Sequence, residues 1–397
     1  MIRKTRLFTP GPTPLLPAAQ FAMAAADIHH RTPEFRALYT RVLAQLKEFV
    51  GTQNDVILLS SSGSGAMEAA VSNLTSPGDR VLVLSAGKFG ERWSAIAKAF
   101  GCEVDLVSKP YGETFELTEI QAALKLETRA IFMQANETST GAAHDVQGVA
   151  KLLRDAKSEA LLVVDGITGL GTSTLDMDAW GIDALIGGSQ KAVMIPPGLS
   201  YLAISQRAWE RMESTYNPRY YFDLRKERKS AKNGESAYTP AVALIAALGA
   251  AFDWIAAQAA TPDNPKGDLV AGRKMLVDNA ETIAAMTRAA LEAMHFKMFT
   301  LSPGSAATAV LAPEGVDSGL VVKELKSRFA AIITNGQGEM KGKIFRIAHL
   351  GYFDYMDTIA LIGAMEQVVV KSLPQLGVKF GDGVIAAQKV YVERVKV

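Results

Sequence analysis

Between residues 55 and 204 short apolar runs alternate with amphipathic stretches of helical length, and no other feature constrains the fold as strongly. Short apolar runs bounded by turn residues read as strands buried on both faces. The helical segments between them supply the crossovers that parallel strands require. The expected strands are 56–59, 80–84, 102–107, 130–134, 160–164, 184–186 and 200–204, and the expected helices include 66–74, 92–100, 118–126 and 146–156. Together they form one doubly wound, mostly parallel seven-stranded sheet of the α/β class. A chain of 397 residues exceeds what one core sustains, so a second unit is expected. The polar stretch Thr261-Pro262-Asp263-Asn264-Pro265 is the best internal boundary. It divides the chain into an amino-terminal arm 1–14, a large domain 15–262 and a smaller α+β domain 263–397. The last would hold a helix at 269–294, strands at 307–311, 332–334 and 344–347, and a helix at 318–329.

Charge narrows the function. With 42 basic and 41 acidic side chains the net charge is +1, which advertises neither nucleic acid nor an anionic membrane as partner. The basic start Met1-Ile2-Arg3-Lys4 is followed by no apolar stretch of signal-peptide length, and the most apolar segment, 241–252, ends at Asp253. A single cysteine, Cys102, excludes an internal disulfide and suits a reducing compartment, so a cytoplasmic enzyme of small molecules is expected. The five histidines show no zinc-ligand spacing beyond the pair His29-His30.

Chemistry concentrates at the carboxyl ends of the expected strands, where open α/β sheets gather ligands. Asp165 ends the run Leu161-Leu162-Val163-Val164, and Lys191 follows 26 residues later in Gly187-Gly188-Ser189-Gln190-Lys191. An aldehyde cofactor such as pyridoxal phosphate needs a lysine amine for its Schiff base and a carboxylate beside its ring nitrogen. The stretch Ala192-Val193-Met194-Ile195-Pro196-Pro197-Gly198 would desolvate that amine and lower its pKa. Ser60-Ser61-Ser62-Gly63-Ser64-Gly65-Ala66-Met67-Glu68 stands between a strand and a helix, where free amides and the helix dipole attract phosphate. A dinucleotide fingerprint is the competing reading, weakened by Glu68 in the place of the third glycine. Phe89, in Ala86-Gly87-Lys88-Phe89-Gly90-Glu91-Arg92, offers a face to a planar ring, or is plain core. Thr138, in Asn136-Glu137-Thr138-Ser139-Thr140-Gly141, offers a hydroxyl or caps a turn. Arg346, amid Lys343-Ile344-Phe345 and Ile347-Ala348, wants a carboxylate, either a substrate's or a structural partner's.

Taken in order, these motifs resemble the class V (fold type I) pyridoxal phosphate aminotransferases of the alanine:glyoxylate and serine:glyoxylate group. Phe8-Thr9-Pro10-Gly11-Pro12-Thr13, His30-Arg31-Thr32-Pro33-Glu34-Phe35 and Tyr238-Thr239-Pro240 extend the resemblance over residues 7–350. It implies a fold type I transferase with Lys191 as Schiff-base lysine and proton shuttle, Asp165 on the ring nitrogen and Phe89 stacked on the ring. Phe89 is a departure, since close relatives often carry tryptophan. Ser64, Gly65, Ala66 and Gln190 would lie at the phosphate, Ala66 through its backbone amide alone, and Thr138 near the ring hydroxyl. Arg346 would bind the substrate carboxylate, with Gly11 beside it. Thr239 would reach across from a second subunit, which implies a homodimer.

The implied reaction is a ping-pong exchange moving an amino group from a small L-amino acid, alanine or serine, to glyoxylate or pyruvate. Aspartate or another donor, and a lyase acting on a β-substituted amino acid, would use the same lysine and aspartate. A cysteine desulfurase would need a mobile nucleophile, and Cys102 sits at a helix-to-strand junction where burial is expected. A nicotinamide dehydrogenase leaves Lys191 and Arg346 without roles. A non-catalytic subunit would not keep every chemical position filled.

Overall fold

The computed structural model describes residues 3–395. Met1 and Ile2 of the expected arm, and Lys396 and Val397 of the expected small domain, lie outside the described residues. The seven strands of the large sheet are β1 (Asp55–Leu59), β2 (Arg80–Ser85), β3 (Glu103–Ser108), β4 (Ala130–Gln134), β5 (Leu161–Asp165), β6 (Ala184–Gly188) and β7 (Ser200–Ile204). Their spatial order is β1-β7-β6-β5-β4-β2-β3. Side chains alternate between two cores: Leu82, Leu84, Ile131, Met133, Leu162 and Val164 face one. Val81, Val83, Ala130, Phe132, Leu161 and Val163 face the other. Burial on both faces is what makes these strands read as unbroken apolar runs. Truncating the fully buried Phe132 to alanine would cost about 3–5 kcal/mol.

One strand departs from the parallel pattern. β7 is antiparallel to both β1 and β6, and it lies between them. Only residues 189–199 separate β6 from β7, a stretch with no helix and two prolines, too short for a crossover. The chain must turn back, and the turn carries Lys191.

A second sheet of β8 (Ala307–Leu311), β9 (Thr334–Asn335) and β10 (Ile344–Ala348) is antiparallel, ordered β8-β10-β9. The expected strand 332–334 is two pieces. Ala331–Ile332 pairs with Arg6–Leu7 of the arm, Thr334–Asn335 pairs with β10, and Ile333 between them turns into the core. A separate apolar cluster surrounds this sheet and includes Phe8. The long helix Leu269–Ala293 starts where Asp268 accepts a hydrogen bond from the Ala271 amide (2.7 Å). From its strand pairing the arm continues to the large sheet, where the Leu16 amide bonds the Met194 carbonyl (2.9 Å). Among the described residues no helix is long and apolar enough to cross a membrane.

Candidate active site

β5 and β6 are parallel neighbours, so the residues that follow their carboxyl ends meet at one edge of the sheet. There a cavity of about 210 Å³ is lined by Asp165, Lys191, Gln190, Phe89, Thr138 and Ser64, and by Gly11 of the arm. The loop bearing Lys191 is held tightly. The Ser189 hydroxyl donates to the Pro196 carbonyl (2.8 Å) and accepts from the Leu199 amide (3.2 Å), while the Thr13 hydroxyl donates to the Lys191 carbonyl (3.1 Å). The Lys191 Nζ donates to the Pro10 carbonyl at 2.5 Å. Gly11 has a φ of +153°, which side-chain-bearing residues rarely adopt, and a Cβ there would also displace the Lys191 Nζ from its place.

Burial moves the two chemical groups toward each other. Removal from water pushes the Asp165 carboxyl up to about 6, against the Ile167 amide that donates to it (2.9 Å). It also drops the Lys191 ammonium to about 8; the Asp165 charge opposes that drop, and the Arg346 and Arg92 charges add to it. Near neutral pH a usable fraction of the amine is therefore uncharged, as a nucleophile and proton carrier needs.

Glu137 organises the wall. It is fully buried, and burial raises its pKa against the hydrogen bonds it accepts. Its Oε2 takes the amides of Phe89 (3.0 Å) and Gly90 (3.2 Å), and its Oε1 takes the Ser139 amide (3.2 Å) and hydroxyl (2.5 Å). It thereby caps the helix Lys88–Ala99, whose own N-cap, Gly87, has no side chain to do so. Any Cβ at Gly87 would run into the Glu137 carboxylate. Thr138 bonds the Thr168 hydroxyl (2.9 Å), and its carbonyl accepts from Arg346 Nη1 (2.9 Å).

Arg346 sits on β10, only 4% exposed. Its other bond is from Nη2 to the Asn335 carbonyl (3.1 Å); among the described residues its Nε has no partner and no carboxylate lies within 4.0 Å. Burial lowers its pKa to about 10, opposed by the Glu137 charge. A buried guanidinium served only by carbonyls has capacity left for an anion. The structural ion pair weighed for it is absent among the described residues.

Along another wall of the same cavity the helix Gly63–Leu74 begins without a side-chain cap. The Gly65 and Ala66 amides bond the Ser62 carbonyl (2.9 and 3.4 Å), and the Gly63 and Ser64 amides have no partner among the described residues. Ser62, Gly63 and Ser64 line the cavity; Gly65 and Ala66 do not, and Ala66 packs into the core beneath. The Gln190 Oε1 is buried without a partner. Thr239 is exposed and lies outside the cavity of its own chain. These features fit pyridoxal phosphate: a buried amine, a buried carboxylate, free helix-start amides and an aromatic ring line one cavity.

Elsewhere a larger cleft of about 560 Å³ carries a buried Asp183, but Arg207 already pairs with it (2.6 Å). Cys102 is buried, donates to the Thr75 hydroxyl (3.3 Å) and lines no part of the site, which removes the desulfurase reading.

The sequence pattern of the family described as Aminotransferase class-V matches residues 18–309. This chain belongs to that family, and the family uses pyridoxal phosphate. It is similar to L-aspartate–glyoxylate aminotransferase of Paracoccus denitrificans, 34% identical with 98% of this chain and 97% of that one covered. A Synechococcus sp. (strain PCC 6716) protein named soluble hydrogenase, small subunit, is also 34% identical, with 98% of both chains covered. Among the described residues no group of three or more His, Cys, Asp and Glu side chains is placed to hold a metal. Among solved structures, alanine–glyoxylate aminotransferase from Nostoc sp. superposes with a TM-score of 0.83 at 30% identity, covering 93% of this chain and 96% of that one.

Proposed function

We propose that this aminotransferase takes the amino group of a small L-amino acid, alanine or serine, and passes it to glyoxylate or pyruvate in two half-reactions. One observation carries the site assignment: a desolvated lysine amine and a buried carboxylate share one cavity with a carboxylate-seeking arginine against its wall. Pyridoxal phosphate supplies an electrophilic carbon for the amine and a ring that accepts an electron pair. Asp165 holds a proton at the ring nitrogen, since the buried carboxylate and a ring cation satisfy each other's charge. Arg346 binds the substrate carboxylate through its unused donors and so fixes which Cα bond faces Lys191. Lys191 Nζ would act as the base that removes the Cα proton and as the acid that returns a proton, in either half-reaction. Phe89 would cover the ring, Thr138 would sit near its hydroxyl, and Ser64 and Gln190 would hold the phosphate. Glyoxylate as acceptor is supported by the names of the Paracoccus and Nostoc relatives. The first of those names also makes aspartate the donor to test beside alanine and serine.

The exposed Thr239, and exposed Phe21 and Tyr220 on the same chain, support a homodimer in which each site is completed by its partner. A cytoplasmic setting is supported by the single buried cysteine.

The test is the visible spectrum of the purified holoenzyme during addition of L-alanine, L-serine or L-aspartate, followed by glyoxylate. A cofactor band lost with one donor and restored by glyoxylate establishes aminotransfer and names the donor. Keto acid released from a β-substituted amino acid without that loss would replace this reading with a lyase.

A further inference from the structure

We propose that Arg92 is the cation that holds the phosphate of the bound cofactor, an inference that rests on the pyridoxal phosphate reading above. A phosphate monoester brings nearly two negative charges into the cavity. The neutral groups at the helix start, the Gly63 and Ser64 amides and the Ser64 hydroxyl, answer only part of that charge. Two basic side chains line the described cavity, Lys191 and Arg92, and Lys191 is the amine assigned to the cofactor's aldehyde. That leaves Arg92. Its Nη1 donates to the Ser64 hydroxyl (2.9 Å), and its guanidinium carbon lies 4.9 Å from the centre of the Phe89 ring. The fork is thus aimed by a hydroxyl and an aromatic face that both belong to the site.

Arg92 also keeps its charge unspent. The neighbouring carboxylate, Glu91, is engaged by Lys88 (2.7 Å) and by the Tyr111 hydroxyl, and among the described residues no carboxylate lies within 4.0 Å of Arg92. Its position three residues after Phe89 on one helix puts both side chains on one face, so the segment that covers the ring delivers the cation as well. The Arg92 charge is felt by both chemical groups: it favours ionised Asp165 and disfavours protonated Lys191. Once a phosphate neutralises it, that influence fades.

The experiment is equilibrium binding of pyridoxal phosphate, and of pyridoxal without the phosphate, to cofactor-free wild type, Arg92→Gln and Arg92→Lys, followed by absorbance and intrinsic fluorescence. Arg92 is exposed, so thermal unfolding of the variants should match wild type and exclude misfolding. Arg92→Gln should weaken pyridoxal phosphate about tenfold to hundredfold and leave pyridoxal within about twofold, with Arg92→Lys between. Equal weakening of both ligands would overturn the proposal, because Arg92 would then act through the ring. Unchanged phosphate affinity with a raised KM for dicarboxylic donors would overturn it in favour of a substrate contact. Wild type that fails to bind pyridoxal phosphate would instead sink the cofactor reading itself.

Discussion

The cavity has two ends built on opposite principles. At the floor, Lys191 and Asp165 are buried, and burial disfavours the charge on each, so one is less basic and the other less acidic than in water. At the mouth, Ser64 is half-buried and Arg92 is exposed, and the Gly63 and Ser64 amides have no partner among the described residues. On the proposed reading, the groups that would change protonation are the dry ones and those that would attract the anion lie near water. The floor gives up folding stability for reactivity; the mouth does not.

The sharpest break of that contrast is at the floor. Lys191→Ala should reduce turnover by about 10⁴-fold or to background, and Asp165→Asn by on the order of hundredfold or more, read from half-reaction rates. The same substitutions should stabilise the cofactor-free protein. The unfolded Asp165 loses its proton near 3.8 and the folded one near 6, so the folded state is penalised as pH rises between them and remains so at pH 7. For Lys191 the penalty is full below about 8 and fades as pH climbs toward 10.5. At pH 7 both penalties act, and Asp165→Asn, which keeps an oxygen for the Ile167 amide, should gain on the order of 1 kcal/mol in denaturant unfolding. A loss of stability would mean the carboxylate is compensated in a way the cavity does not show.

Next in size is Arg346→Lys. One ammonium replaces a fork whose Nη1 and Nη2 already serve two carbonyls, so a substrate carboxylate loses a charge-assisted bond of about 1.5–3 kcal/mol. KM for the amino acid should rise about tenfold to hundredfold while kcat falls less. An unchanged KM would remove Arg346 from substrate binding. The same arginine tunes the floor: the rate at which the cofactor-free protein captures the aldehyde should rise with pH to a midpoint near 8. In Arg346→Gln that midpoint should move upward, because a cation that disfavours protonated Lys191 is gone.

How much of this was legible beforehand follows from the same contrast. Six of the seven strands are legible to within two residues because two-sided burial writes itself as apolar runs, while β3 at the sheet edge alternates instead; Asp165 stands out because it ends such a run and Lys191 because it follows one closely. The reversal of β7 was not read, although the short connection before it forbids a crossover. The helix Pro33–Val50 went unread despite Thr32 at its cap and Phe35, Tyr39, Val42, Leu46 and Phe49 at helical spacing. Arg92 and Glu137 lay inside motifs already singled out, yet their roles depend on what they touch across 28 and 48 residues of sequence, which no local pattern records.

Glu137→Gln is the smallest expected effect and the most informative about the wall between the two ends. The amide keeps one oxygen for the Phe89 and Gly90 amides, so the helix cap and the aromatic face survive. Its NH₂ group then meets the Ser139 amide and hydroxyl; the hydroxyl can turn to accept, but the amide is left unpaired. One buried donor without a partner costs about 1–3 kcal/mol, so unfolding should come earlier by that amount while kcat/KM falls only a few-fold. If Glu137 works by holding Phe89 over the ring, the circular dichroism of the bound cofactor should weaken in step with kcat, and Glu137→Asp, which keeps the charge but shortens the reach, should not restore it. A destabilised variant with an unchanged cofactor signal would reduce Glu137 to a helix cap and leave Phe89 positioned by its own packing.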